Sequence, residues 1–126
     1  MSRAILLFIG SLMELGAGSL LLVLPGPTST LLVEVHVVDA GLTFAQMLGA
    51  GLVSMGIMLL FVSKTKDRAT LGGVTVAYIL YNLAGIGVMS FGAINRGHEG
   101  DALWFAVALH TVLVVLLLRA HLRAKT

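Results

Sequence analysis

Four stretches of this chain, residues 4–24, 41–63, 69–94 and 102–118, hold a single charged side chain between them, Glu14. Runs this long exclude an amphipathic surface helix, which needs a polar face, and exceed the roughly 4–8 residues of a buried strand. At ~1.5 Å per residue they match the ~30 Å hydrocarbon layer of a bilayer. Composition agrees, with 58% of residues apolar and 11% charged, where soluble domains carry about 25% charge. The expectation is an all-α fold: a bundle of four transmembrane helices forming one membrane domain over residues 1–126, with residues 25–40 as an outer loop. The fourth span has 17 residues before Arg119, enough to cross because a terminal arginine snorkels to the headgroups. The first is read as a retained helix, since its apolar run outlasts the roughly 7–15 residues of a signal peptide and contains Glu14.

Basic residues orient the spans. Arg3, Lys64, Lys66, Arg68, Arg119, Arg123 and Lys125 fall on one side and Arg96 alone on the other. Positive charge stays cytoplasmic, so both termini are expected inside, in an inner or plasma membrane, with residues 25–40 and 95–101 outside. Glu34, Asp39, Glu99 and Asp101 lie on the outer side, and Trp104 sits at the depth of an aromatic belt. The Lys64-Thr65-Lys66-Asp67-Arg68 run reads as the topology signal itself, with contact to anionic lipid heads as a by-product.

The outer loop opens with Pro25-Gly26-Pro27, which ends the first span, and residues 31–38 then alternate through Val33, Glu34, Val35, His36 and Val37. That period of two predicts a short strand, or a segment lying on the outer membrane face. A lone strand needs a partner from another loop or chain. There is also an internal echo: Glu14-Leu15-Gly16-Ala17-Gly18 resembles Asn82-Leu83-Ala84-Gly85. A duplicated helical hairpin accounts for it, as does coincidence in glycine-rich helices.

Lipid is as apolar as leucine, so membrane helices associate by close backbone approach at small residues. Gly10 and Gly18 flank Glu14, Ala45 and Gly49 lead the second span with Gly56 beyond, and Ala77, Gly85 and Gly92 line the third. These are the predicted contact faces, with Gly18, Gly49 and Gly85 as their centres. The run of large aliphatic residues over 112–118 predicts a more lipid-exposed fourth helix.

Glu14, Asn82 and His110 all fall near mid-span, joined by Tyr78 and Tyr81, while Gln46 lies nearer the outer surface. An unpaired carboxylate at that depth costs at least ~2.5–3.5 kcal/mol, so Glu14 is expected to face the interior, protonated or paired. Two readings follow. The cluster binds a proton, a cation or the polar head of a small ligand; or Glu14 is a neutral acid hydrogen-bonded to Asn82 or His110 that fixes helix register.

Other chemistry is constrained by what is missing. Without cysteine there is no disulfide framework, thiolate nucleophile, iron–sulfur cluster or cysteine-ligated zinc. His110 suggests haem ligation, but the bis-histidine arrangement needs a second histidine at its depth, and His36, His98 and His121 lie elsewhere. No cofactor is expected within one chain; a haem shared with another chain stays open. His36, Asp39, His98, Glu99 and Asp101 are metal-ligand types without a diagnostic spacing, so no metal is expected. No catalytic motif assembles and no basic patch suits nucleic acid, so the chain is read as non-enzymatic, with the bilayer as its solvent.

As a whole, with its four spans, inside termini and the segments LMELGAG (12–18), AQMLGAG (45–51) and YNLAG (81–85), the chain resembles the DoxX-like group of small bacterial membrane proteins. That resemblance implies a four-helix membrane bundle serving as an accessory or assembly-forming subunit, packed against copies of itself or within a larger membrane complex. A second resemblance is to the small multidrug resistance exporters, whose first helix carries one glutamate shared between protons and cationic drugs. It implies Glu14 as a proton-coupled carrier. The long first loop and a second span without polar aromatic residues depart from that pattern.

Overall fold

The computed structural model describes residues 1–34, 36–96 and 100–124. Val35, His98, Glu99 and Lys125, named above, lie outside the described residues. Five helices follow in order: α1 (Arg3–Val23), α2 (Pro25–Val33), α3 (Ala40–Ser63), α4 (Arg68–Arg96) and α5 (Asp101–Arg123). Of these, α1, α3, α4 and α5 are long and apolar enough to cross a membrane, so the chain is an all-α bundle of four membrane-spanning helices. Among the described residues there is no strand.

Helix ends are built from the few polar side chains that the sequence supplies. In α1 the Ser2 hydroxyl accepts the Ile5 N–H at 3.3 Å, a standard N-cap. At its other end Thr28 Oγ1 donates to the Leu20 carbonyl at 3.2 Å and Gln46 Nε2 to the Leu22 carbonyl at 3.3 Å. The Leu20 carbonyl also accepts the Leu24 N–H at 2.8 Å, so Thr28 is its second donor, while the Gln46 bond gives a partner to a carbonyl of the last turn, which explains a glutamine in an apolar span.

The N-terminus of α4 is capped by Asp67, whose carboxylate accepts the Thr70 N–H at 2.9 Å, the Ala69 N–H at 3.3 Å and the Thr70 hydroxyl. Hydrogen bonds from Thr70, then from Ala69, favour the charged form and hold Asp67 below the usual carboxyl value of 3.8. A depressed acid stabilises the fold above its unfolded value, and the contribution is lost as pH falls through the folded one. The stability lead of the wild type over Asp67→Ala, followed by thermal melts in detergent, is therefore expected to be full at neutral pH and to vanish in strong acid. A lead that does not change with pH would mean that the carboxylate is not the cap.

The helices pack as two consecutive antiparallel pairs. In the first, α1 and α3 meet backbone to backbone: a Cβ on Gly18 would lie 2.8 Å from the Gly49 carbonyl oxygen and 2.8 Å from Val53 N, and a Cβ on Gly49 would lie 2.8 Å from the Gly18 oxygen. One helical stage further along, a Cβ on Gly56 would meet Leu15 Cγ at 2.7 Å and the Ser11 oxygen at 3.0 Å. This is small-residue association as membrane helices require. In the second pair α4 lies against α5. The pairs join through a core of Leu6, Leu7, Leu59, Tyr78, Ile79, Leu113 and Leu117.

Three expectations change. Residues 25–33 form α2, neither a plain loop nor a strand: Pro25 and Pro27 occupy the first turn, where a missing N–H costs nothing. The segment ends at Glu34, in the left-handed region with φ 54°. It docks against the start of α5, where a Cβ on Gly100 would lie 3.1 Å from Glu34 Cγ and 3.3 Å from the Leu32 oxygen. Next, α5 is not the most exposed helix: its Leu113 and Leu117 are core residues, it is enclosed to the same degree as α3, and the least enclosed helix is α4.

The third change concerns Gly85. The atom within 4 Å of a Cβ placed there is Met89 Cε, at 3.9 Å in the same helix. The packed face of α4 is centred on Thr75, Tyr78, Ile79 and Asn82, and Gly85 lies at its edge. Ala77 is exposed outright, whereas Gly92 is buried.

Candidate functional site

The polar residues of the bundle interior lie on three helices. Glu14 projects from the buried stripe of α1 that also carries Leu7, Gly10, Ser11, Gly18 and Leu21, and only 3% of its surface is exposed. Facing it, α4 presents Tyr78, Tyr81 and Asn82, and α5 presents His110. Helical periodicity brings them together, since residues three and four apart share a face.

Glu14 is held by tyrosines. The Tyr78 hydroxyl donates to Glu14 Oε1 at 2.8 Å, and the Tyr81 hydroxyl stands 3.5 Å from Oε2, long enough to count for much less. The two rings stack with centroids 5.9 Å apart and planes 9° from parallel, so one holds the other in place. Room for the Tyr78 ring comes from Gly10, where a Cβ would lie 2.6 Å from Tyr78 Cε1. Gly10 therefore serves the site directly, whereas Gly18, Gly49 and Gly56 serve the α1–α3 contact.

Asn82 and His110 form the next pair, joined to the first through Tyr78. Asn82 Nδ2 donates to the Tyr78 carbonyl at 2.7 Å, and His110 Nδ1 lies 2.6 Å from Asn82 Oδ1. With the amide nitrogen engaged as donor, the oxygen is the acceptor, which assigns the imidazole proton to Nδ1. The expected hydrogen bond from Glu14 to Asn82 or His110 is thus replaced by one to Tyr78. Depth along the helices put all five residues in one layer, but the rotation of α4 turns Tyr78 to α1 and Asn82 to α5.

This arrangement separates the two titratable groups. The connection from Glu14 to His110 passes through Tyr78 and then the Asn82 amide, and a carboxamide, unlike a hydroxyl or imidazole, does not readily pass a proton on. The strip does tie α1 to α4 and α4 to α5 with directional bonds in a medium where polar groups have few other partners.

Beside the tyrosines, between α3 and α4, runs an apolar crevice of about 240 Å³ lined by Met55, Met58, Gly73, Val74, Ala77, Tyr78 and Tyr81. Sequence reasoning missed it because the signal was negative: α4 is least packed where its small residues lie. Among the described residues no three histidine, aspartate or glutamate side chains come together as a metal site. Comparison of the chain with protein-family models, curated proteins and solved structures finds no match.

Proposed function

We propose that this integral membrane protein is a non-enzymatic, assembly-forming subunit that packs against a second copy or another membrane chain through α4, with the Glu14–Tyr78 bond as an internal latch. One observation carries the reading. Gly73, Ala77, Leu80, Ala84 and Gly87 recur at spacings of four, three, four and three along α4, and all five are exposed. That is the seam of a left-handed helix pair, and Cβ atoms on Gly73 and Gly87 would meet nothing within 4 Å. A glycine in a helix interior costs about 1 kcal/mol relative to alanine. Against lipid it returns nothing, whereas against another helix it allows close approach. The DoxX-like resemblance and the positive-inside orientation, with both termini cytoplasmic, belong to the same reading.

Single cysteines placed in this cysteine-free chain test it. Ala77→Cys and Ala84→Cys are expected to cross-link in native membranes on mild oxidation, while Val115→Cys, exposed on α5, is not. A product of twice the 13.2 kDa chain mass assigns a second copy, and a product of another mass assigns a different subunit. Ala84→Leu is expected to reduce the assembled species in mild detergent to the single chain. Absence of cross-linking at both α4 positions, with size unchanged in Ala84→Leu, would defeat the proposal.

A second reading, a proton-coupled exporter of lipophilic cations with Glu14 as carrier, is favoured by the α3–α4 crevice, which gives an apolar ligand a path to the tyrosines that hold Glu14. It requires that the Glu14–Tyr78 bond break and reform in each cycle.

A further inference from the structure

We infer that the chain packed on the α4 seam is a second copy of this one, related by a two-fold axis along the bilayer normal that lays α3 of each copy against α4 of the other. That pairing rests on the assembly reading above and adds which chain the partner is and which helices meet. A second helix carries the same signature as α4. Phe44, Met47, Gly51, Ser54, Met58 and Phe61 follow one another along α3 at spacings of three, four, three, four and three, and all six are exposed. Such a seam is what a helix presents to a partner helix. A Cβ on Gly51 would meet nothing within 4 Å, so this face is as open as that of α4. Both seams look out from the same side of the bundle, because the crevice between α3 and α4 is lined by Met58 of one and by Gly73 and Ala77 of the other.

The two faces are complementary in size. Counted back from Ser63 at the end of α3 and forward from Arg68 at the start of α4, Met58 is level with Gly73, Ser54 with Ala77, Gly51 with Leu80, Met47 with Ala84 and Phe44 with Gly87. At four of these five levels a large side chain is matched by a small one, and at the other both are small. Within one chain the members of each pair do not meet, since both seams point outward. Two copies inserted with the same topology hold the same levels at the same depth, and a half-turn about the normal brings α3 of one onto α4 of the other without a shift along the helices. Each contact is then made twice, as an isologous interface requires. The small residues of α4 admit the phenylalanine and methionines of α3, and Gly51 admits Leu80, which gives the close approach by which helices associate in lipid. The two α4 helices adjoin at the axis, and each copy closes the mouth of the other's crevice. A different subunit would have to reproduce one of the two profiles, whereas this chain contains both.

The test co-expresses two differently tagged copies of the full cysteine-free chain, one with Met47→Cys and the other with Ala84→Cys, and oxidises native membranes mildly. A disulfide-linked product carrying both tags is expected. Met58→Cys with Ala84→Cys, on the same two faces but at different depths, is expected to give none. A size exchange follows, with association read by sedimentation in mild detergent. Ala84→Met is expected to weaken association on the order of a hundredfold, from about tenfold for overpacking at each of the two equivalent contacts. Adding Met47→Ala in the same chain conserves the volume and is expected to restore association to within about tenfold of the wild type.

Cross-linking of Ala84→Cys to its own kind without the mixed-tag product would leave the assembly reading standing and overturn this pairing. A Met47→Ala change that fails to rescue Ala84→Met, or a mismatched pair that links as well as the matched one, would do the same. No product at either α4 position would remove the assembly reading and this pairing together. Should Ala84→Met fail to fold, the mixed-tag comparison, made with cysteines that add little bulk, still decides.

Discussion

Gly18→Leu and Gly49→Leu are each expected to lower the stability of the bundle by about 3 kcal/mol, the upper end of the usual cost of overpacking and a large share of the roughly 5–15 kcal/mol that a domain has in all. The reason is what a new side chain meets. At both positions the nearest atoms to a Cβ include backbone of the opposite helix at 2.8 Å, and backbone, unlike the far end of a side chain, cannot rotate away. Relief requires α1 and α3 to separate, which also pulls Ser11 and Leu15 off Gly56 and unsettles the Gln46 bond to the Leu22 carbonyl. Gly85→Leu is the control. It adds the same bulk beside a flexible Met89 terminus 3.9 Å away, and a change within about 0.5 kcal/mol is expected. The ordering is the test, read as melting temperature and folded yield in one detergent. Equal losses at Gly18 and Gly85 would mean that the α1–α3 contact is placed wrongly.

How much of this could be read from the chain depends on which physical property each element uses. The four spans were legible because hydrocarbon thickness is a length, and a run of apolar residues measures it directly. Their ends were less so: the fourth span stops at Leu118 by charge, but α5 continues to Arg123, since a helix need not end where the bilayer does. The helix over 25–33 is not legible in the sequence: prolines mark the end of a span there and alternation over 31–38 suggests a strand, while the helix depends on support from α3 and from the start of α5, which sequence does not display. Two prolines within the first turn were the available signal. Gly10, Gly18, Gly49 and Gly56 were legible as small residues on the polar or leucine-flanked stripe of their own helix. Gly85 was not, because spacing gives a face but not which neighbour that face meets. The same gap separated Glu14 from its true partner: depth is readable to within a turn, but the rotation of one helix against another is set by the packing of the whole bundle.

Glu14 is where the two proposed functions diverge, and three substitutions separate them. Glu14→Gln keeps a carbonyl oxygen to accept the Tyr78 hydroxyl and gains an amide that can donate to Tyr81, so a latch survives it with stability changed by less than about 1 kcal/mol. Glu14→Leu leaves the Tyr78 hydroxyl, in a residue only 3% exposed, without its acceptor, at a cost of about 1–3 kcal/mol. Tyr78→Phe leaves the carboxyl with the 3.5 Å contact to Tyr81 alone and is expected to cost about as much. The Leu and Phe changes made together remove both partners, and the pair should then be less harmful than the sum, with a coupling of about 0.6–2 kcal/mol for a hydrogen bond between membrane helices. Additive losses would mean that the two side chains do not interact. The exporter reading makes a different demand, because a carrier must release its proton when a cation arrives. Proton release on adding tetraphenylphosphonium to the wild type in weakly buffered detergent, absent in an equally stable Glu14→Gln, would displace the assembly reading. With the Tyr78 bond intact and no relay from Glu14 to His110, the expected result is no release from either protein.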